Sequence, residues 1–128
     1  MKVTSKINSV HVKAMQDIFQ RAQIKTVDVI KTDVQDSQTI PFNTGHLQNN
    51  TMFVDKSKIK QGIVSIYHEG PYARRLYFHP EYNFKKDNNP KAGGLWFEPY
   101  LSGNKKKFAH ITFAKFVRKE MGNVISRN

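Results

Sequence analysis

Apolar positions in the first third of the chain recur with helical period. Met15, Ile18, Phe19 and Ala22 stand at i, i+3, i+4 and i+7, which sets them on one face of a helix. Val27, Ile30 and Val34 prolong the pattern with a drift in phase. The spacing predicts a helix over 9–35, with Asn8 or Ser9 as its cap. Its β-branched tail (Val27, Val29 and Ile30) lowers helix preference beyond residue 26. Ahead of it, residues 2–7 alternate loosely, as a short edge strand would.

The period then shortens. Pro41 and Gly45 mark IPFNTGHL as a loop. Residues 51–54 (TMFV) and 63–67 (IVSIY) read as strands, joined through a polar stretch in which Gly62 suits a hairpin turn. Ile63, Ser65 and Tyr67 share one face of the second strand, Val64 and Ile66 the other. Both faces are partly apolar, which predicts a central strand. Pro71 fits the first position of a short helix, YARRLYF. Residues 79–94 hold two prolines and two glycines and read as a 16-residue loop. A short helix or turn follows over 95–101, then a final helix over 105–121. Gly122 stands where a C-cap glycine belongs, with Arg118 and Lys119 complementing the negative helix end. The expected fold is α+β and one domain over 1–128. A long N-terminal helix packs on a small antiparallel sheet of three to four strands, followed by a long loop insertion and a C-terminal helix.

Composition narrows the chemistry. The 128 residues include no cysteine, which excludes disulfides, thiolate metal sites and thiol nucleophiles. No apolar run approaches 18 residues, and the N-terminus shows no apolar core of a signal peptide, so neither a membrane span nor a leader is expected. Lys and Arg number 21 against 10 Asp and Glu, a net charge of +11 that makes self-repulsion a cost of assembly. The five histidines (11, 46, 68, 79 and 110) form neither H-x-x-x-H nor H-E-x-x-H, and solvated, scattered imidazoles are expected. Asp33, Asp36, Asp55, Glu81 and Asp87 do not combine into a carboxylate pair in an apolar pocket. A nucleophile elbow and a phosphate-binding glycine loop are also missing. The expectation is no catalysis, no cofactor, no metal and no small-molecule substrate.

Aromatics concentrate between the second strand and the last helix. Nine of the 15 fall in 67–100, interleaved with Arg74, Arg75, Lys85, Lys86 and Lys91. Three readings fit that mixture: rings packing a loop onto a small sheet, a protein–protein surface anchored by Tyr, Trp and Arg, or stacking with phosphate contacts. Nucleic acid is the rival partner. Its electrostatic footprint would be Lys105, Lys106 and Lys107 with Arg118 and Lys119.

Three groups of residues carry a resemblance: Pro41, Thr44-Gly45 and Leu47; Pro71-Tyr72-Ala73-Arg74 with Tyr77; and Asn89-Pro90, Ala92 and Trp96-Phe97. In this order and spacing, over about residues 13–122, the chain resembles the minor capsid proteins of tailed phages of Gram-positive hosts. Those proteins belong with head–tail joining and tail-completion proteins. The resemblance implies a structural virion protein of a phage or prophage, present in the host cytoplasm during assembly. It would act by forming rings at the portal–tail junction. Its partners would be copies of itself, neighbouring neck or tail proteins and, on its basic side, packaged DNA. Tyr72, Arg74, Arg75, Tyr77, Trp96 and Phe97 are expected to hold the loop and the subunit interface. In the residues' own terms, Ala73 allows close approach of its helix to the sheet, and Trp96-Phe97 anchors the loop's return to the core. One of Arg74 and Arg75 is expected to be buried against an acid, the other exposed.

Overall fold

The computed structural model describes residues 9–41, 51–84, 86–87 and 89–126. The predicted strand over 2–7 and positions 42–47 of the predicted IPFNTGHL loop lie outside the described residues. Helix α1 runs Ser9–Asp36 and matches the predicted span to within one residue. At about 1.5 Å per residue it is roughly 42 Å long. Ile18, Ala22, Thr26 and Val34 are buried along it, and Ile30 packs beside the core. These positions step by four, so the buried stripe drifts around the helix and meets different partners along its length. Thr26 replaces the expected Val27 on that stripe. Its hydroxyl is satisfied by donating to the Ala22 carbonyl at 2.7 Å.

Strands β1 (Met52–Asp55) and β2 (Ser65–His68) pair antiparallel, Met52 opposite His68 and Val54 opposite Ile66. A 3₁₀ turn over Ile59–Gln61 closes the hairpin, and Gly62 takes φ 77°, a left-handed conformation that glycine adopts without a Cβ penalty. Among the described residues the sheet has two strands, not three or four, and β2 is an edge rather than a central strand. Apolar groups on both faces of β2 therefore do not mark a central strand. Ile66 does face the core, but Tyr67 on the other face pairs with Phe53 and stays 41% exposed.

Helix α2 (Pro71–Tyr77) begins on its proline, as expected. Helix α3 (Glu98–Leu101) is one turn. Helix α4 starts at Phe108 and continues through Gly122 to Ser126. Gly122 is therefore helical rather than a C-cap, and Arg118 and Lys119 stand away from the helix end. Lys105–Lys107 precede α4 in turns rather than opening it.

The core sits where the C-terminal half of α1, the hairpin, α2 and the return of the long loop meet. Val34, Ile40, Met52, Ala73 and Trp96 form it, with Ile30, Ile66, Leu76, Tyr77, Phe97 and Tyr100 packed around. Helix α4 instead covers the middle of α1. Phe19 and Phe113 approach at 6.2 Å between ring centroids, and Lys25 lies over Phe116. Lys25 and Arg21 converge on Glu120 at 2.7 and 3.5 Å. Both cations are half-exposed, so these pairs set register more than stability.

The far half of the long loop is fixed by the chain itself. The buried Asn89 donates to the Ile40 carbonyl at 2.7 Å, Gly93 N–H to Thr39 O at 3.0 Å and Leu95 N–H to Tyr77 O at 3.0 Å. Gly94 passes so close to α2 that an added Cβ would lie 2.8 Å from the Tyr77 carbonyl oxygen and 3.1 Å from that of Leu76. Both obstacles are backbone. Gly94→Ala is expected to destabilise the fold by about 1–3 kcal/mol, read as a lower urea midpoint with an unchanged slope.

Candidate functional site

Helix α2 divides its residues between two environments. Ala73 is buried, and Leu76 and Tyr77 pack on the core. Tyr72 and Phe78 are 64% and 62% exposed, and Arg74 and Arg75 are exposed with them. Neither arginine pairs with an acid among the described residues, contrary to the expectation of one buried ion pair. On seven residues there is room for one inward stripe only. Ala73, Leu76 and Tyr77 occupy it at i, i+3 and i+4.

Beside α2 lies a pocket of about 190 Å³, lined by His68, Tyr77, Phe78, Trp96 and Phe97 with the exposed Arg74. Its rings meet edge to face: Tyr77 and Trp96 at 4.9 Å and 89°, His68 and Trp96 at 5.4 Å and 84°. Trp96 Nε1–H donates to His68 Nε2 at 3.1 Å, and His68 Nδ1 meets the Thr51 hydroxyl at 3.3 Å. An indole N–H can only donate. The His68 ring is therefore neutral there, with its proton on Nδ1, facing Thr51.

His68 is thus no solvated imidazole, as the sequence suggested, but a bracket between β2 and Trp96. Burial pushes its pKa down to about 4. The unfolded ring takes its proton near the ordinary 6.5, so the folded state loses stability as pH falls from about 6.5 to about 4. The limiting loss is roughly 3 kcal/mol, less what partial solvation screens. His68→Gln is expected to flatten the melting temperature over that window, whereas the parent chain declines. His79 is also engaged, stacked on Tyr82 at 4.6 Å and bonded to Glu81 at 2.6 Å. Among the described residues no cluster of three His, Asp or Glu is placed to hold a metal ion.

A second polar constellation joins α1 to α3 and to the turn that precedes α4. Asp33 accepts from the Tyr100 hydroxyl and from Lys105 Nζ, the latter at 2.8 Å, and Lys105 lies over the Tyr100 ring. Burial pushes the Asp33 carboxyl up, but hydrogen bonds from Lys105 and Tyr100 outweigh it and hold the group below its ordinary range. Burial first, and then the Asp33 carboxylate, raise the Tyr100 hydroxyl far above the usual phenol range. No local sequence pattern marks this bracket, since its members are 67 and 72 residues apart.

The six expected interface residues therefore separate. Tyr72, Arg74 and Arg75 stand on the surface, Tyr77 and Phe97 are half-buried, and Trp96 is buried. Of the five basic candidates, Lys105 is drawn onto Asp33 while Lys106, Lys107, Arg118 and Lys119 are exposed. Two exposed features were not singled out: Phe78 at the end of α2, and the Phe53–Tyr67 pair on the outer face of the hairpin. The second was legible as one aromatic on the same face of each strand, Phe53 and Tyr67, two positions back from the strand ends at the turn.

The described residues thus form an α+β scaffold whose polar side chains bracket its elements, with exposed rings and the unpaired Arg74 and Arg75 on its surface. The chain belongs to the minor capsid protein family, whose model matches residues 1–119, and is a structural bacteriophage protein of the virion. No curated protein and no solved structure matches it.

Proposed function

We propose that this chain is a head–tail joining or tail-completion subunit that assembles into a ring at the portal–tail junction. The carrying observation is the outward face of α2. Tyr72, Arg74, Arg75 and Phe78 are displayed on a helix whose other side is locked to Trp96 through Ala73 and Tyr77. Aromatic and arginine side chains on a rigid support are the usual anchors of protein interfaces. Head-to-tail contacts between identical copies close into a ring when their rotation divides the circle.

Minor capsid membership supports a virion role, and the α2 face supports docking as the means. A second reading places the exposed Lys106, Lys107, Arg118 and Lys119 toward packaged DNA. Each phosphate neutralised would add about 0.9 to the log–log salt slope of binding. The test is imaging of particles carrying a gold-labelled copy of the chain. Label confined to the single tail-bearing vertex is expected. Label spread over the shell would remove the junction role.

A further inference from the structure

The outer face of the hairpin has a composition unlike the rest of this basic molecule. Phe53 and Tyr67 stand opposite one another in the register, 5.8 Å apart and 37% and 41% exposed. Glu69 N–H donates to Thr51 O at 2.9 Å, so the pairing continues one step beyond β2. By alternation Asp55 and Glu69 then share the outer face with the two rings. The result is an aromatic pair with an exposed carboxylate at either end, on a chain with 21 cations and 10 acids; Asp55 accepts from Ser57 N–H at 2.9 Å through one oxygen, whereas Glu69 has no such bond among the described residues.

The face of α2 is its complement. It offers exposed Tyr72 and Phe78, an aromatic pocket, and Arg74 and Arg75, which have no acid partner among the described residues. His68 lines that pocket from the inner side of β2, whereas Tyr67 points to the opposite side. The two patches are therefore different surfaces of one molecule and can be satisfied together only by different neighbours. We infer that the hairpin's outer face, Phe53 and Tyr67 with Asp55 and Glu69, docks on the α2 face of a second copy of this chain. Its rings seat at the aromatic pocket and its carboxylates meet Arg74 and Arg75. Opposite charges would orient the approach and offset the general repulsion between copies. Such a contact is heterologous, repeating from copy to copy. It rests on the ring reading and names the surfaces that build the ring.

The test replaces Phe53 by a photo-reactive benzoylphenylalanine in the full chain and assembles particles from mixed ¹⁴N and ¹⁵N copies. A cross-link carrying both isotopes, from position 53 to the segment 71–78, is expected. Glu69→Arg or Arg74→Glu alone should cut that link by about tenfold or more, and the double charge swap should restore it. Where the probe at 53 perturbs folding, the same probe at Tyr67 serves. A link from 53 to a different virion protein, or to another segment of the second copy, overturns the contact. Incorporation without any link at 53 or 67 also overturns it, while leaving the virion role standing. Exclusion of the unsubstituted chain from particles would instead bring down the ring reading itself.

Discussion

Trp96→Ala is expected to cost about 3–5 kcal/mol, the range for truncating a buried tryptophan. The ring is 2% exposed and belongs to the central core cluster. It touches Tyr77 and His68 edge to face, and its N–H satisfies His68 Nε2. Truncation thus opens a cavity and removes the partner of a half-buried ring nitrogen. Domains of this size have about 5–15 kcal/mol in all. At roughly 3–5 °C per kcal/mol, the melting temperature should fall by about 9–25 °C. The contrast is Tyr72→Ala on the open side of α2, expected within about 0.5 kcal/mol of the parent. Equal losses for the two, by circular dichroism melts, would show that α2 does not separate a supporting side from a free one.

What the sequence disclosed follows the range of the forces involved. Helix α1 was legible because its apolar period runs from Met15 to Val34, about five turns, and α2 because Pro71 fixes its start. Trp96 as an anchor was legible from size alone, since a large ring after Gly93-Gly94 has few other uses in a small chain. The single-sided burial of β2 was not. Ile66 and Tyr67 are both strand formers, and only the packing of Ile66 on the core, with Tyr67 left exposed, shows which of them faces outward. Gly122 resembled a cap locally, yet α4 gains from packing on α1 through Phe113 and Glu120 and runs past it. Likewise His68 looked solvated because its partners, Trp96 and Thr51, are 28 and 17 residues away. Within the proposed interface set, helical period was enough to mark α2. It could not tell the three residues that hold the support, Tyr77, Trp96 and Phe97, from the three that face away.

Arg75→Glu should have the largest effect on assembly. Arg75 is exposed and makes no ion pair among the described residues, so reversing its charge removes nothing from the core. A helix surface change of this kind is expected to alter folding stability by about 0.5 kcal/mol or less. At an interface the same change replaces attraction by repulsion. Truncating one partner of a buried charge pair costs about 2–5 kcal/mol, about 30-fold or more in affinity at 1.4 kcal/mol per tenfold. In the proposed ring the contact repeats at every junction, so the loss would be multiplied around the circle. Incorporation into particles should therefore fall by well over tenfold, while the purified chain melts as the parent does.

The central claim is that this chain works by docking through the outward face of a helix that its core holds rigid. The most direct measurement is the number of copies per purified particle, by quantitative mass spectrometry, for the parent and for Arg75→Glu, with thermal melts of both proteins alongside. The account predicts particles nearly free of the variant and superimposable melts. Equal copy numbers for the two chains would contradict it.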